Sequence, residues 1–159
     1  MPRSGSVPKR VVAPDPVYGS DILAKFVNFV MQGGKKNTAR KIVYGAFEII
    51  KTKKQEDPLK MFESAIDAIR PQVEVRSRRV GGANYQIPLP VAPTRQNALA
   101  FRWLMTAAHD RKGGKMADRL ASEIIDIMAG LGGAVKKRDE VHRMAEANKA
   151  FAHFARFKK

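Results

Sequence analysis

The chain has 159 residues, with 30 Lys and Arg against 15 Asp and Glu, a formal charge of +15, 44% hydrophobic residues and no cysteine. That length fits one or at most two small domains, and the apolar content can bury roughly 70% of the unfolded surface, which excludes wholesale disorder; the lack of cysteine excludes a disulfide scaffold and thiolate chemistry. No apolar run approaches the roughly 20 residues of a membrane span, and the start MPRSGSVPKRVV has no apolar core behind its basic residues, so an intracellular soluble protein is expected. A twofold excess of base repels itself in a compact chain unless an anionic partner neutralises it, and nucleic acid is the commonest such partner. The base gathers in both tails and in two of the helices.

In chain order, Ser20 caps a segment whose Ile22, Leu23, Phe26, Val27 and Val30 share a stripe, and Gly33 with Gly34 stops it. The next helix carries Ala39, Ile42, Val43, Ala46, Phe47 and Ile50 at amphipathic spacing. Asp57 before Pro58 reads as an N-cap with proline in the first helical position, and Leu59, Phe62, Ile66 and Ile69 run on to a stop at Pro71.

At Val73 the period changes to two. Val73 and Val75 alternate with Glu74 and Arg76, and beyond Gly81 and Gly82 the residues Tyr85, Ile87, Leu89 and Val91 alternate with Gln86, Pro88 and Pro90. This is a hairpin. A two-residue Gly-Gly turn pairs Arg76 with Ile87 and Val75 with Pro88; a three-residue loop through Ala83 pairs Val75 with Leu89 and Val73 with Val91. The second register is favoured because it gathers the apolar residues on one face. Pro88 and Pro90 deny ladder donors to a further strand, so the ribbon stays two-stranded, and so marginal a ribbon is expected to lean on a partner.

Helical periodicity resumes after Pro93. Thr94 is expected to cap a helix through His109 with Phe101, Leu104, Met105 and Ala108 buried. Another runs from Lys115 through Leu120, Ile124 and Ile127 towards Gly132 and Gly133, and a last helix starts near Ala134 and continues into AEANKAFAHFARFKK.

Catalytic signals are thin. Gly34 with Lys35 and Gly114 with Lys115 lack the remaining glycine and the Ser or Thr of a phosphate-binding loop. His142 and Glu146 stand one helical turn apart, but no further His or Cys pair completes a metal site. No cofactor is implied. Basic surfaces are more informative. Residues 35–54 carry Lys35, Lys36, Arg40, Lys41, Lys51, Lys53 and Lys54 against Glu48 alone, and Arg95, Arg102 and His109 recur on one helical face. On the hairpin, Arg76 and Arg78 are expected beside Gln86 on the face opposite the valines, with Arg79 and Tyr85 near the tip; guanidinium forks match phosphates and tyrosine stacks on unpaired bases. The C-terminal stretch interleaves Phe151, Phe154 and Phe157 with Lys149, His153, Arg156, Lys158 and Lys159. Phe151 reads as a core cap and Phe157 as a stacking residue. A structural RNA-binding protein is the leading reading. A helical protein reading duplex DNA through residues 94–109 is the alternative, which has no need of the ribbon, and an enzyme acting on RNA comes third.

Over essentially its whole length the sequence resembles the bacterial-type family of small-ribosomal-subunit protein seven. The blocks that carry the resemblance are PDPVYGS, FVN and GGKK, TARKIVYGAF, VEVRSRRVGGANYQIP, RQNALAFRW and AVKKRDEVHRMAEANKAFAHF. The resemblance implies a mainly α protein, a compact bundle of about six helices with a protruding two-stranded β-hairpin arm. Residues 1–14 would be a basic arm, 15–150 a single RNA-binding domain with the hairpin at 72–91, and 151–159 a basic aromatic tail. It also implies direct binding to small-subunit ribosomal RNA, nucleation of the subunit head, a place near the exit-site transfer RNA, contacts with small-subunit proteins nine and eleven, and no catalysis or metal. The location is then the ribosome, in the cytoplasm or in the matrix of an organelle. By position, the RNA-contacting residues it implies are Arg3, Lys9, Arg10, Lys35, Lys36, Arg76, Arg78, Arg79, Arg95 and Arg102, the tip at Gly81 and Gly82, and residues 143–154, among them Arg143 and Lys149. The tail at residues 3–13 and the linker at 52–57 depart most from the family pattern.

Overall fold

Prolines, glycines and short polar side chains set most of the element ends. The computed structural model describes residues 12–80 and 82–156, with the side chains of Val80, Ala155 and Arg156 left aside. The sites expected at Arg3, Lys9, Arg10, Gly81 and Phe157, and the side chain of Arg156, lie outside what is described. Six α-helices, one two-stranded antiparallel sheet and a C-terminal 3₁₀ segment follow one another: α1 Asp21–Val30, α2 Lys36–Lys54, α3 Pro58–Ile69, β1 Val73–Val80, β2 Ala83–Pro90, α4 Pro93–Asp110, α5 Met116–Met128, α6 Gly133–Ala147 and the 3₁₀ segment Lys149–Arg156. The mainly helical class with one hairpin is as expected. No helix of the described residues is long and apolar enough to cross a membrane.

The chain divides between Arg40 and Lys41 into two compact units. In the first, the buried Asp15 carboxylate accepts the backbone N–H groups of Val17 at 3.1 Å and Tyr18 at 3.2 Å, which folds the entry into a turn. Ser20 Oγ then accepts the Leu23 N–H as the N-cap of α1. Leu23, Phe26, Val27 and Val30 form its buried stripe. Gly33 and Gly34, both at positive φ, turn the chain into α2.

In the second unit, Asp57 caps α3 by accepting the Leu59 N–H at 3.0 Å, with Pro58 in the first turn. The Phe62 ring of α3 lies 5.7 Å from that of Phe47. Helices α3, α4, α5 and α6 pack on one another, β1 and β2 lie against α6, and the 3₁₀ segment lies against β2. Helix α4 begins two residues earlier than the Thr94 cap implies. Pro93 occupies the first turn and Ala92 is the N-cap, without a side-chain cap. Proline presets helical φ and has no N–H to leave unsatisfied, so the helix needs no hydroxyl there. The last helix also differs from expectation: α6 ends at Ala147 and the chain tightens into the 3₁₀ segment instead of continuing.

A buried carboxylate organises the far end of this unit. Glu123, only 1% exposed, accepts the Ala134 N–H at 3.0 Å and thereby supports the first turn of α6. Its other oxygen takes Arg111 Nε at 2.7 Å, and Arg111 also reaches Asp126. Burial opposes the Arg111 charge, but the two carboxylates outweigh it and hold the guanidinium above its ordinary pKa. Gly132 leaves room for this arrangement, since a Cβ there would come within 2.8 Å of Glu123 Oε1.

Candidate nucleic-acid interface

The hairpin register is the two-residue one. Val80 pairs with Ala83, Arg78 with Tyr85, Arg76 with Ile87 and Glu74 with Leu89, and the Val91 N–H bonded to the Gln72 carbonyl at 3.0 Å extends the ladder. Gly82 sits at φ 93°, a conformation side chains resist, which suits a tight connection. The three-residue register is therefore overturned; Arg76 and Arg78 lie opposite Val73 and Val75 as expected, but Gln86 does not lie beside them. Arg76, Arg78, Tyr85 and Ile87 share one face; Gln86 stands on the other with Ser77 and Arg79. Gathering the apolar residues on one face is favoured only where the ribbon has one apolar face and one wet face. Here Val73, Val75, Pro88 and Leu89 are all half-buried although they belong to opposite faces, so both faces are partly covered and the apolar residues need not collect on one.

At the base of the hairpin, Glu74 is buried and holds two arginines. Its Oε1 accepts Arg76 Nε at 2.6 Å, and its Oε2 accepts Arg95 Nε, from the first turn of α4, at 2.7 Å. This carboxylate ties β1 to α4. Arg95 is bound through Nε, and about half of its side chain is exposed. Two guanidinium groups, whose donor forks match phosphate oxygens, are thus gathered on one carboxylate. Sequence reasoning passed over Glu74, although a signal was present: it is the only acid between Pro71 and His109.

Towards the tip the arginines are held differently. Arg78 donates from Nη1 to the Phe154 carbonyl at 3.2 Å. Its partner across the ladder, Tyr85, meets the Phe151 ring at 5.2 Å and the Phe154 ring at 5.1 Å between centroids. The C-terminal segment therefore lies along the hairpin, and Phe151 is half-buried against Tyr85 instead of capping the helical core as expected. The i, i+3 spacing of Phe151 and Phe154 suits an α-helix; the 3₁₀ segment aligns the same two rings on one side. Arg79, opposite Asn84, is exposed, and its side chain has no ion pair or hydrogen bond among the described residues.

The remaining expected residues separate by environment. Arg102 is exposed in the middle of α4 and also without a partner among the described residues; Arg143 is exposed on α6. Lys149 pairs with Glu146 at 3.1 Å. In the first unit Lys35 is exposed just before α2, and Lys36 and Arg40 are half-buried, with Arg40 Nε buried and unbonded. Lys41, across the division, is exposed. His142 does not stand as a ligand: its Nε2 accepts the Gln72 N–H at 3.3 Å, pinning the start of the hairpin to α6.

The profile of the family described as ribosomal protein S7p/S5e matches residues 2–149. Among similar proteins, the small ribosomal subunit protein uS7 of Pseudomonas fluorescens is 60% identical over 154 residues, which is 97% of this chain and 99% of that protein. Those of Dechloromonas aromatica and Azotobacter vinelandii are each 58% identical over the same shares. A ribosomal role accords with surfaces on which arginines are set out. The chain belongs to the S7p/S5e family of ribosomal proteins.

Proposed function

We propose that the protein is a structural component of the small ribosomal subunit that binds small-subunit ribosomal RNA directly and nucleates assembly of the subunit head. The observation that carries this reading is similarity along nearly the whole chain to proteins named for the small subunit, and the charge of +15 supports it. Phosphates are contacted through the clamped Arg76 and Arg95 at the hairpin base, through Arg79 at its tip and through Arg102. Lys35, Lys36, Arg40, Lys41, Arg78, Arg143, Lys149, the tip at Gly82 and the basic N-terminal arm contribute further contacts, with residues 15–150 as the RNA-binding body. In the assembled subunit the protein lies near the exit-site transfer RNA and beside small-subunit proteins nine and eleven.

The test is binding of the full chain to small-subunit ribosomal RNA over a salt series, with large-subunit RNA as competitor. Affinity is expected to fall with a log-log slope of about −0.9 per neutralised phosphate on duplex and about −0.7 on single strands, and the small-subunit RNA is expected to win the competition. Salt-independent binding, or equal affinity for both RNAs, contradicts the reading. Omission of the protein from a reconstitution of the subunit should leave the head unassembled while the remainder forms.

A further inference from the structure

A cavity of about 590 Å³ opens in the second unit, between α4 and the first turn of α6. Its lining includes Trp103, the only tryptophan of the chain, half-buried and with an indole that has no hydrogen-bond or ring partner among the described residues. Leu131, 70% exposed, adds apolar surface. Of the four cations in the lining, two are committed: Arg111 to Glu123 and Asp126, and Lys137 to Glu140. Arg102 and Lys136 are exposed and carry no ion pair among the described residues.

An uncommitted indole beside two uncommitted cations suits a ligand that is aromatic and anionic at once. The indole offers a stacking face and an N–H donor, and the guanidinium and ammonium offer donors to phosphate oxygens. Asp110 also lines the cavity, so bare phosphate meets a repelling carboxylate and has no use for the ring; the base contact is what makes a nucleotide the better occupant. The volume lies within the range of roughly 300 to 1,000 Å³ typical of pockets that enclose small molecules. We propose that this cavity takes one unpaired nucleotide of the bound RNA strand, its base against Trp103 and its phosphate between Arg102 and Lys136. The proposal rests on the RNA-binding function set out above.

Because Trp103 is the sole tryptophan, its emission reports occupancy directly. The full chain is titrated with fluorescently labelled small-subunit ribosomal RNA, so that binding is followed on the label and occupancy on the indole. A single-stranded oligoadenylate of about 12 nucleotides, a duplex RNA of the same length, adenosine monophosphate and polyglutamate are run in parallel. Ribosomal RNA and oligoadenylate are expected to quench Trp103, while the duplex binds without quenching. Ribosomal RNA that binds with unchanged emission overturns the proposal and leaves the RNA-binding function standing; RNA that does not bind at all overturns that function too. Equal quenching by the mononucleotide at matched nucleotide concentration makes this a free-nucleotide site, and equal quenching by polyglutamate an acidic-protein site, and either result overturns the proposal. Trp103→Ala should weaken ribosomal RNA binding roughly tenfold, with most of the loss recovered in Trp103→Phe. The exposed pair Arg102→Gln and Lys136→Gln, which leaves the packing intact, should weaken binding several-fold with no change in melting temperature; unchanged affinity in that double variant counts against the site.

Discussion

The base and the tip of the hairpin use the same residue type to opposite ends. At the base, Arg76 and Arg95 converge on the buried Glu74; at the tip, Arg79 faces outward without a partner among the described residues. An arginine beside a buried carboxylate is part of the fold, because the acid cannot be left uncompensated, whereas an exposed arginine without an acid contributes almost nothing to folding and is available to an external anion. Between these extremes, Arg78 is bonded to the chain's own C-terminal segment.

The largest effect in this comparison belongs to a second buried glutamate, Glu123. Glu123→Ala removes the partner of Arg111 and the acceptor of the Ala134 N–H, and should cost about 3 to 5 kcal/mol in chemical denaturation. Glu74→Gln comes next. Its two arginines are about half exposed, so water compensates them in part and a loss of about 1 to 2 kcal/mol is expected. Phe151→Ala should cost about 1 kcal/mol, the value of an aromatic contact with Tyr85 outside the helical core, and should raise hydrogen exchange in β2 while the helices stay protected.

Two smaller effects complete the series. The Lys137 hydrogen bond and charge hold the Glu140 carboxyl below its ordinary pKa. The pair therefore supports α6 at pH values above the ordinary carboxylate range, and that support is lost as pH falls through the lowered value. At so exposed a site, Glu140→Gln should barely move the melting curve at neutral pH, and the small difference from the parent should vanish in acid. Arg79→Ala should leave melting unchanged within error and weaken ribosomal RNA binding several-fold with a shallower salt slope. A stability loss for Arg79→Ala comparable to that for Glu74→Gln would erase the distinction between base and tip.

Much of this fold was legible in local chemistry. The Ser20 and Asp57 caps, the stop after Val30 and the switch to period two at Val73 each follow from a few neighbouring residues, and the six helices with one hairpin agree with the expected class. What escaped were features decided by partners distant in sequence. The register turned on whether the second face of the ribbon is covered, which depends on α6 and the 3₁₀ segment. The roles of Glu74 and Glu123 depend on arginines 21 and 12 residues away. Reading Arg76, Arg78 and Arg79 together as forks for phosphate overlooks the acid two residues before the first of them. A triple replacement of those arginines is thus expected to reduce stability through Arg76 as well as affinity through Arg79.

Glu74→Gln followed by RNA affinity tests the central claim most directly, because two simple ideas disagree about it. Removing a carboxylate makes the chain more positive, and phosphate attraction alone would then strengthen binding. If Glu74 instead holds Arg76 and Arg95 in a phosphate-ready geometry, the affinity of the folded variant for small-subunit ribosomal RNA falls several-fold, and Arg95→Ala added to Glu74→Gln loses less than Arg95→Ala alone. Binding that tightens in Glu74→Gln, with additive losses in the double variant, would contradict the account.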